Sequence, residues 1–192
     1  MRLKITFLLL LFSGVVLAQN LDDLKKDTKT LYEATYNMAF ETILDYTHPT
    51  VFKLVKREDM YTMLDTAFQN DAYRLRYVYT TPHFSYSEIS SFNNSHYCVI
   101  TYENAMRITY ENKIESEESQ KKIMATLQKN FPDASIRFEK DRNAFYIVKN
   151  DKLLAISDDE TNGKWKFMNV NPNYKELLEA VITENVRKQL GL

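Results

Sequence analysis

Apolar and polar positions follow a helical spacing near the start of the chain. From Leu21 to Thr42, apolar or small residues return every three or four positions, which predicts a helix from about residue 21 to residue 44. The Asp45–Pro49 segment interrupts this pattern. A second apolar stripe then predicts a short helical turn at residues 51–55 and a helix over Arg57–Phe68. The stripe of that last helix consists of Met60, Met63, Leu64, Ala67 and Phe68.

In the middle of the chain, apolar and polar residues alternate, in place of the three- or four-residue spacing of a helix. The segments Tyr73–Thr80, His83–Phe92 and Tyr97–Tyr110 each read as a β-strand, and Asn93-Asn94 reads as the hairpin turn between the last two. The alternation of the longest strand loses phase at Glu103-Asn104, so we expect a bulge there.

The second half of the chain predicts two helices separated by strands. A helix is expected from Ser116 to Phe131, and a final helix from Pro172-Asn173 to Leu190. Turns are expected at Asn150-Asp151 and at Asp158–Gly163. These turns separate short antiparallel strands at Ile136–Lys140, Ala144–Lys149, Leu153–Ser157 and Lys164–Val170. The predicted fold class is therefore α+β, with helices packed on one face of a curved, mostly antiparallel sheet.

The strand pattern also predicts which aromatic side chains face inward. On the first strand, Tyr77 and Tyr79 have the opposite parity to Arg74 and Arg76, so the two sets lie on opposite faces. Unpaired arginines are costly to bury, which favours an aromatic inner wall. We expect Tyr77, Tyr79 and Tyr102 to line a concavity, unless these rings simply fill a packed core.

Residues 1–18 have the three regions of an export signal. Arg2 and Lys4 are positive, the run from Ile5 to Leu17 is apolar, and Val16-Leu17-Ala18 provides a signal-peptidase site. That run is shorter than the roughly 20 residues that a membrane-spanning helix needs. We therefore expect a cleaved signal peptide at residues 1–18 and one exported, soluble domain at residues 19–192, periplasmic or secreted, with no lipid-anchoring cysteine after the cut.

Charge and cysteine content narrow the possible partners. The chain has 25 basic and 26 acidic residues, and the predicted signal contains two of the basic ones, so the mature domain is weakly acidic. This argues against binding to nucleic acid or to an anionic membrane. No later segment is long and apolar enough to span a bilayer. The only cysteine, Cys98, excludes an internal disulfide, and its apolar neighbours favour a buried structural role.

Few residues have the spacing of a cofactor or metal site. Glycine occurs only 3 times, and no phosphate loop, dinucleotide fingerprint or nucleophile elbow is present, so no cofactor is expected. The spacing of His48, His83 and His96 does not suit a metal site. The Asp158–Gly163 segment resembles the start of a calcium loop, but Asn169 stands where such a loop needs Glu, which favours a plain turn.

The helix break contains the only candidates for catalysis. Asp45, Tyr46 and His48 lie within four residues, and a His–Asp pair can act as a general base. The favoured interpretation is structural: Asp45 and Thr47 satisfy backbone groups at the helix end while Tyr46 packs.

Three short motifs carry a resemblance to a known superfamily. They are Tyr46-Thr47-His48-Pro49, the Lys-Arg-Glu-Asp-Met start of the following helix at residues 56–60, and the strand Gly163–Phe167. Together they resemble exported bacterial proteins of unassigned role in the NTF2-like superfamily. The resemblance implies a cone in which a curved antiparallel sheet wraps around helices and leaves a pocket at its wide end. Its members include isomerases and dehydratases as well as non-catalytic binding modules, so the fold alone does not choose a function.

Three functions are therefore expected in order of preference. The first is an exported, non-catalytic domain that binds a small apolar or amphipathic ligand, or a protein partner, in an aromatic-lined concavity. The second is a small isomerase, dehydratase or hydrolase that uses His48 as base and Asp45 to orient it. The third is a structural or interaction protein that pairs through its sheet, for example as a homodimer.

Overall fold

The computed structural model describes residues 21–171 and 175–192. It confirms the α+β class: helices pack against a curved, mostly antiparallel open sheet. The predicted signal peptide at residues 1–18 and the predicted helix start at Pro172-Asn173 lie outside the described residues.

The helical front consists of three α-helices and one turn of 3-10 helix. Helix α1 is described from residue 21 to residue 36, and α2 spans Phe40–Tyr46. Helix α3, Arg57–Phe68, has the predicted bounds, whereas the short helical turn lies at Pro49–Lys53, two residues before its predicted position at 51–55.

One continuous helix to residue 44 was a wrong prediction, because the chain breaks at Met38. Met38 adopts a left-handed conformation with φ 57°, which an α-helix cannot contain. The break redirects the chain so that Phe40 and Leu44 become buried. The ring of Phe40 then lies 5.4 Å from that of Phe68 and 5.7 Å from that of Tyr61, which docks α2 against α3.

Two long strands form the centre of the sheet. Strand β4, Ser95–Tyr110, pairs with β6, Ala144–Ser157, in one unbroken antiparallel register. The predicted turn at Asn150-Asp151 and the predicted bulge at Glu103-Asn104 are therefore wrong. Glu103 pairs with Asn150, and the ladder continues on both sides of this pair. Continuous pairing with the neighbouring strand overrides the local turn preference of Asn and Asp.

Shorter strands flank this central pair. β1 (Tyr73–Tyr77), β2 (Phe84–Tyr86) and β3 (Ser90–Phe92) pair with β4, whereas β5 (Ser135–Glu139) and β7 (Lys166–Asn169) pair with β6.

The predicted strand His83–Phe92 is two strands because Ser87 disturbs the ladder. The Ser87 hydroxyl accepts the backbone N–H of Val99, taking the place of a strand carbonyl. The turn at Asn93-Asn94 is confirmed, and both asparagines have positive φ, as a tight hairpin requires.

Helices cover both faces of the sheet. On one face, Cys98 and Ile100 pack against Leu24 and Leu31 of α1. Further along that face, helix α4 (Glu117–Asn130), capped by Ser116 as predicted, packs through Leu127 on a second cluster. This cluster includes Met106, Ile108, Phe145 and Ile147.

The final two helices lie on the opposite face, so the expectation of helices on one face only is corrected. Helices α5 (Lys175–Val181) and α6 (Glu184–Leu190) cover Tyr97 and Leu154, whose parity on their strands is opposite to that of Cys98 and Leu153. The predicted single helix is divided because Thr183 caps α6, and Gly191 ends it with φ 69°.

Candidate ligand cavity

A cavity of about 410 Å³ lies between the helical front and the sheet. Three tyrosines, Tyr32, Tyr77 and Tyr102, line one part of it, and we call them the tyrosine floor. Leu153 and Phe167 contribute from β6 and β7. The remaining lining residues are also mainly apolar, so the space suits an apolar molecule.

Helix α3 forms the least buried wall of this cavity. The helical spacing predicted its apolar stripe correctly, but Met60, Met63, Leu64 and Ala67 line the cavity instead of filling a core. Phe68 is the one buried residue of α3, and Met63 is 56% exposed. Because so few of its residues are buried, we expect α3 to open locally at a low free-energy cost.

Charged residues hold the first turn of α3 in place. The guanidinium of Arg57 lies 2.7 Å from Oδ1 of Asp45 and 2.8 Å from Oε2 of Glu41. The side chains of Asp45 and Glu41 are mostly exposed, so these ion pairs orient α3 more than they stabilise it.

The tyrosine floor is an interlocked ring cluster. The ring centroid of Tyr32 lies 5.7 Å from that of Tyr77 and 5.7 Å from that of Tyr102. Burial, with the negative charge of Asp151 as the next cause, raises the pKa of Tyr32 to about 12. Burial also raises the pKa of Tyr77 and Tyr102. All three phenols are therefore protonated at neutral pH.

A buried polar cluster adjoins the tyrosine floor on the same face of the sheet. Nδ2 of Asn104 donates to Oδ2 of Asp151 over 2.8 Å, and the amino group of Lys149 bonds to the other carboxylate oxygen. Asn104 is fully buried and Asp151 is 6% exposed. The side chain of Asn104 also opposes the rise in pKa that burial causes at Tyr77, so this cluster lies next to the cavity wall.

Sequence reasoning missed this cluster because it placed Asp151 in a turn. A signal was present: Phe145, Ile147, Leu153 and Ala155 share the parity of Asp151, so the alternation continues through the supposed turn. Read as one strand, the segment places Asp151 on the inward face.

Two of the three tyrosines expected in the concavity line it. Tyr77 and Tyr102 are on the cavity wall, whereas Tyr79 is not. Strand β1 ends at Tyr77, and the hydroxyl of Tyr79 instead donates to Oε1 of Glu103 over 3.1 Å. Tyr79 still supports the floor through its backbone carbonyl, which accepts a 2.7 Å hydrogen bond from the Tyr32 hydroxyl.

The arginines of β1 point away from the core, as their parity predicted. Arg74 pairs with Glu111 at 2.7 Å and is about half exposed. Arg76 donates to the backbone carbonyl of Phe68 and to the side chain of Gln69.

His48 and Asp45 are not brought together. His48 is 2% exposed, its Nε2 lies 3.2 Å from Oδ2 of Asp158, and its Nδ1 accepts the backbone N–H of Thr50. The latter bond caps the 3-10 turn and requires the proton to be on Nε2 in the neutral ring. Both ring nitrogens are thus engaged within the protein, while the carboxylate of Asp45 pairs with Arg57.

Tyr46, the third residue of that group, lines the cavity with its ring. Its hydroxyl donates to Oδ1 of Asp27 over 3.1 Å. Its centroid lies 6.1 Å from that of Phe167, and the amino group of Lys166 lies 5.5 Å from it on the ring face. Tyr46 therefore acts as a packed wall residue of the cavity.

Two further predictions concern residues outside the cavity. The Asp158–Gly163 segment is confirmed as a turn, in which the Asp158 N–H donates to Oγ1 of Thr161 and the Thr161 N–H donates to Oδ1 of Asp158. Cys98 is confirmed as a buried free thiol, and burial raises its pKa.

Residues 21–171 and 175–192 contain no grouping of three His, Cys, Asp or Glu side chains that could hold a metal ion. The helices of the same ranges include none with the length and apolar character needed to cross a bilayer.

Comparison with known proteins gives no family for this chain. No protein-family model matches it, and no curated protein matches it either. Function is therefore inferred from the geometry of the cavity.

Proposed function

We propose that this protein is a non-catalytic binding domain whose ligand is a small apolar or amphipathic molecule held in the cavity. The main observation in support is that the apolar stripe of α3 lines a cavity of about 410 Å³ instead of packing against the core. Ligand pockets commonly occupy about 300–1,000 Å³ and have mainly apolar walls with a few polar groups, and this cavity meets both conditions.

The engagement of His48 favours binding over general-base catalysis. A general base needs a free nitrogen within reach of the substrate proton. In this protein Asp158 and the backbone of Thr50 occupy both ring nitrogens. His48 is also absent from the cavity wall, so its interactions suit a structural role at the 3-10 turn.

Export and an NTF2-like relationship belong to the same proposal. The charged, apolar and small-residue regions of residues 1–18 support export to the periplasm or beyond. A cavity between helices and a curved antiparallel sheet supports the NTF2-like relationship.

The proposed function is tested by substituting a large side chain at a residue that lines the cavity. Isopropenylnaphthalene, a neutral and wholly apolar probe, is titrated into the purified protein by isothermal calorimetry. We expect saturable binding to the wild type and its loss in Ala67→Trp, because Ala67 lines the cavity and an indole there fills it. Thr66→Trp is the matched control, since Thr66 is exposed on the same helix and is not on the wall.

Two outcomes would contradict this proposal. One is the absence of binding to the wild type. The other is an equal affinity for both Trp variants and the wild type, which would place the probe on another surface.

A further inference from the structure

Tyr102 is a buried polar residue of the cavity wall. Its side chain points inward from the centre of β4, and the residue is 7% exposed. The ring of Phe84 lies 5.1 Å from it at 61°, and that of Tyr32 lies 5.7 Å from it at 89°. These edge contacts from two sides fix the ring plane, and with it the direction of the C–O bond.

The Tyr102 hydroxyl differs from that of Tyr32 in its hydrogen bonding. The hydroxyl of Tyr32 donates to the carbonyl of Tyr79. The side chain of Asn104 acts on the neighbouring Tyr77, where it opposes the rise in pKa that burial causes. Across the described ranges, no hydrogen bond joins the Tyr102 hydroxyl to another group of the protein. Buried phenols normally have a partner, so this donor is available to a molecule in the cavity.

The charges beside the floor restrict the ligand's polar group. Asp151 places a negative charge close enough to raise the pKa of Tyr102, after the larger effects of burial and of Tyr77. An anionic head would be repelled by this carboxylate. The amino group of Lys149 is already bonded to Asp151 and gives an anion no compensation. A cation is disfavoured as well, because Asn104 and Lys149 occupy both carboxylate oxygens.

We infer that the ligand carries a neutral hydrogen-bond acceptor, such as a ketone, ester or amide carbonyl, which receives a hydrogen bond from the Tyr102 hydroxyl. This inference rests on the proposed function and specifies its ligand class. The apolar body of the ligand lies along α3, and its carbonyl meets the tyrosine floor.

Three probes of nearly equal shape test the inference by calorimetry. They are methyl naphthyl ketone, isopropenylnaphthalene, in which a CH₂ group replaces the carbonyl oxygen, and naphthoate. We expect the wild type to bind the ketone about three- to ten-fold more tightly than the alkene, the effect of one neutral hydrogen bond. Naphthoate should bind more weakly than either, because its charge lies near Asp151.

The variant Tyr102→Phe removes the donor and keeps the ring. In this variant we expect the ketone and the alkene to bind with about equal affinity. The affinity for the alkene should equal that of the wild type, since only the hydrogen bond is lost. Tyr110→Phe is the matched control, because Tyr110 is on the same strand and face but outside the cavity. Thermal melts of both variants verify that they are folded.

The outcomes separate the two proposals. If neither neutral probe binds the wild type, the proposed function fails. If both bind with equal affinity, binding stands and the acceptor inference is overturned. The inference is also overturned if Tyr102→Phe keeps the ketone preference, or if naphthoate binds best.

Discussion

Nδ2 of Asn104 lies 2.8 Å from Oδ2 of Asp151, across the two central strands and in a buried part of the sheet. The bond joins residues 47 positions apart in the chain. It brings a carboxylate beside the tyrosine floor and holds it there together with Lys149. A buried charge with all its partners present is tolerated, whereas the loss of one partner is costly.

Asp151→Asn tests the energetic role of this cluster. The change leaves the Lys149 cation without its counter-charge. Removing one partner of a fully buried pair costs about 3–5 kcal/mol, and because Lys149 is 20% exposed we expect a loss of about 2–3 kcal/mol. Urea denaturation measures the free energy of unfolding. Glu103→Gln, the same kind of change on the exposed face of β4, should cost less than about 0.5 kcal/mol. Equal costs for the two variants would contradict a buried ionic cluster.

The left-handed backbone at Met38 gives a second prediction. In a helix interior, Gly is less stable than Ala by about 1 kcal/mol. At Met38, where φ is 57°, the order should reverse, with Met38→Gly more stable than Met38→Ala by about 1 kcal/mol. The control pair, Asp65→Gly and Asp65→Ala within α3, should show the usual helical order. An Ala variant more stable than the Gly variant at Met38 would mean that one helix runs through this position.

The tyrosine floor predicts how stability changes at alkaline pH. The folded-state pKa of Tyr32 is raised from 10.0 to about 12, so the folded protein keeps a proton that the unfolded chain loses. Its contribution to stability is fully present below pH 10 and is lost as the pH rises from 10 toward 12. Phenolate absorbance should show that the floor tyrosines ionise only as the far-UV circular dichroism of the fold disappears. Ionisation of every tyrosine near pH 10 with the fold intact would contradict a buried floor.

The ion pair between Arg107 and Glu139 predicts how stability changes at acidic pH. The hydrogen bond from Arg107, Nε to Oε2 at 2.7 Å, is the main cause that lowers the pKa of Glu139 below its usual 4.5. The stabilisation is therefore present above pH 4.5 and is lost as the pH falls below it. Glu139→Gln should cost about 1 kcal/mol at neutral pH, as expected for a partly buried charge-assisted bond. The difference in the free energy of unfolding between the wild type and this variant should become smaller in acid. A constant difference from pH 7 to pH 3 would contradict a stabilising bond between Arg107 and Glu139.

The sequence alone predicted the structure correctly where neighbouring residues determine it. The parity of β1 correctly separated Tyr77 from Arg74 and Arg76, because side chains alternate strictly along a strand. The cap of α4 and the turn at Asn93-Asn94 also depend on neighbouring residues alone.

Prediction from the sequence failed where distant residues decide the structure. Asn150-Asp151 has turn chemistry, yet it lies within a strand because β4 pairs with it along its whole length. The stripe of α3 shows a helix with one apolar side, but no local pattern reveals that this side borders an open space. Likewise, the partner of His48 is Asp158, which is 110 positions away, and not the nearby Asp45.

The position of a ligand in the cavity is tested most directly by methyl resonances of methionine. The protein is labelled with carbon-13 at the methionine methyl groups and titrated with methyl naphthyl ketone. Met60 and Met63 line the cavity, whereas Met106 and Met124 belong to the cluster under α4. We predict saturable ring-current shifts for Met60 and Met63 and unchanged signals for Met106 and Met124. Shifts confined to the latter pair, or no shift at all, would contradict ligand binding in this cavity.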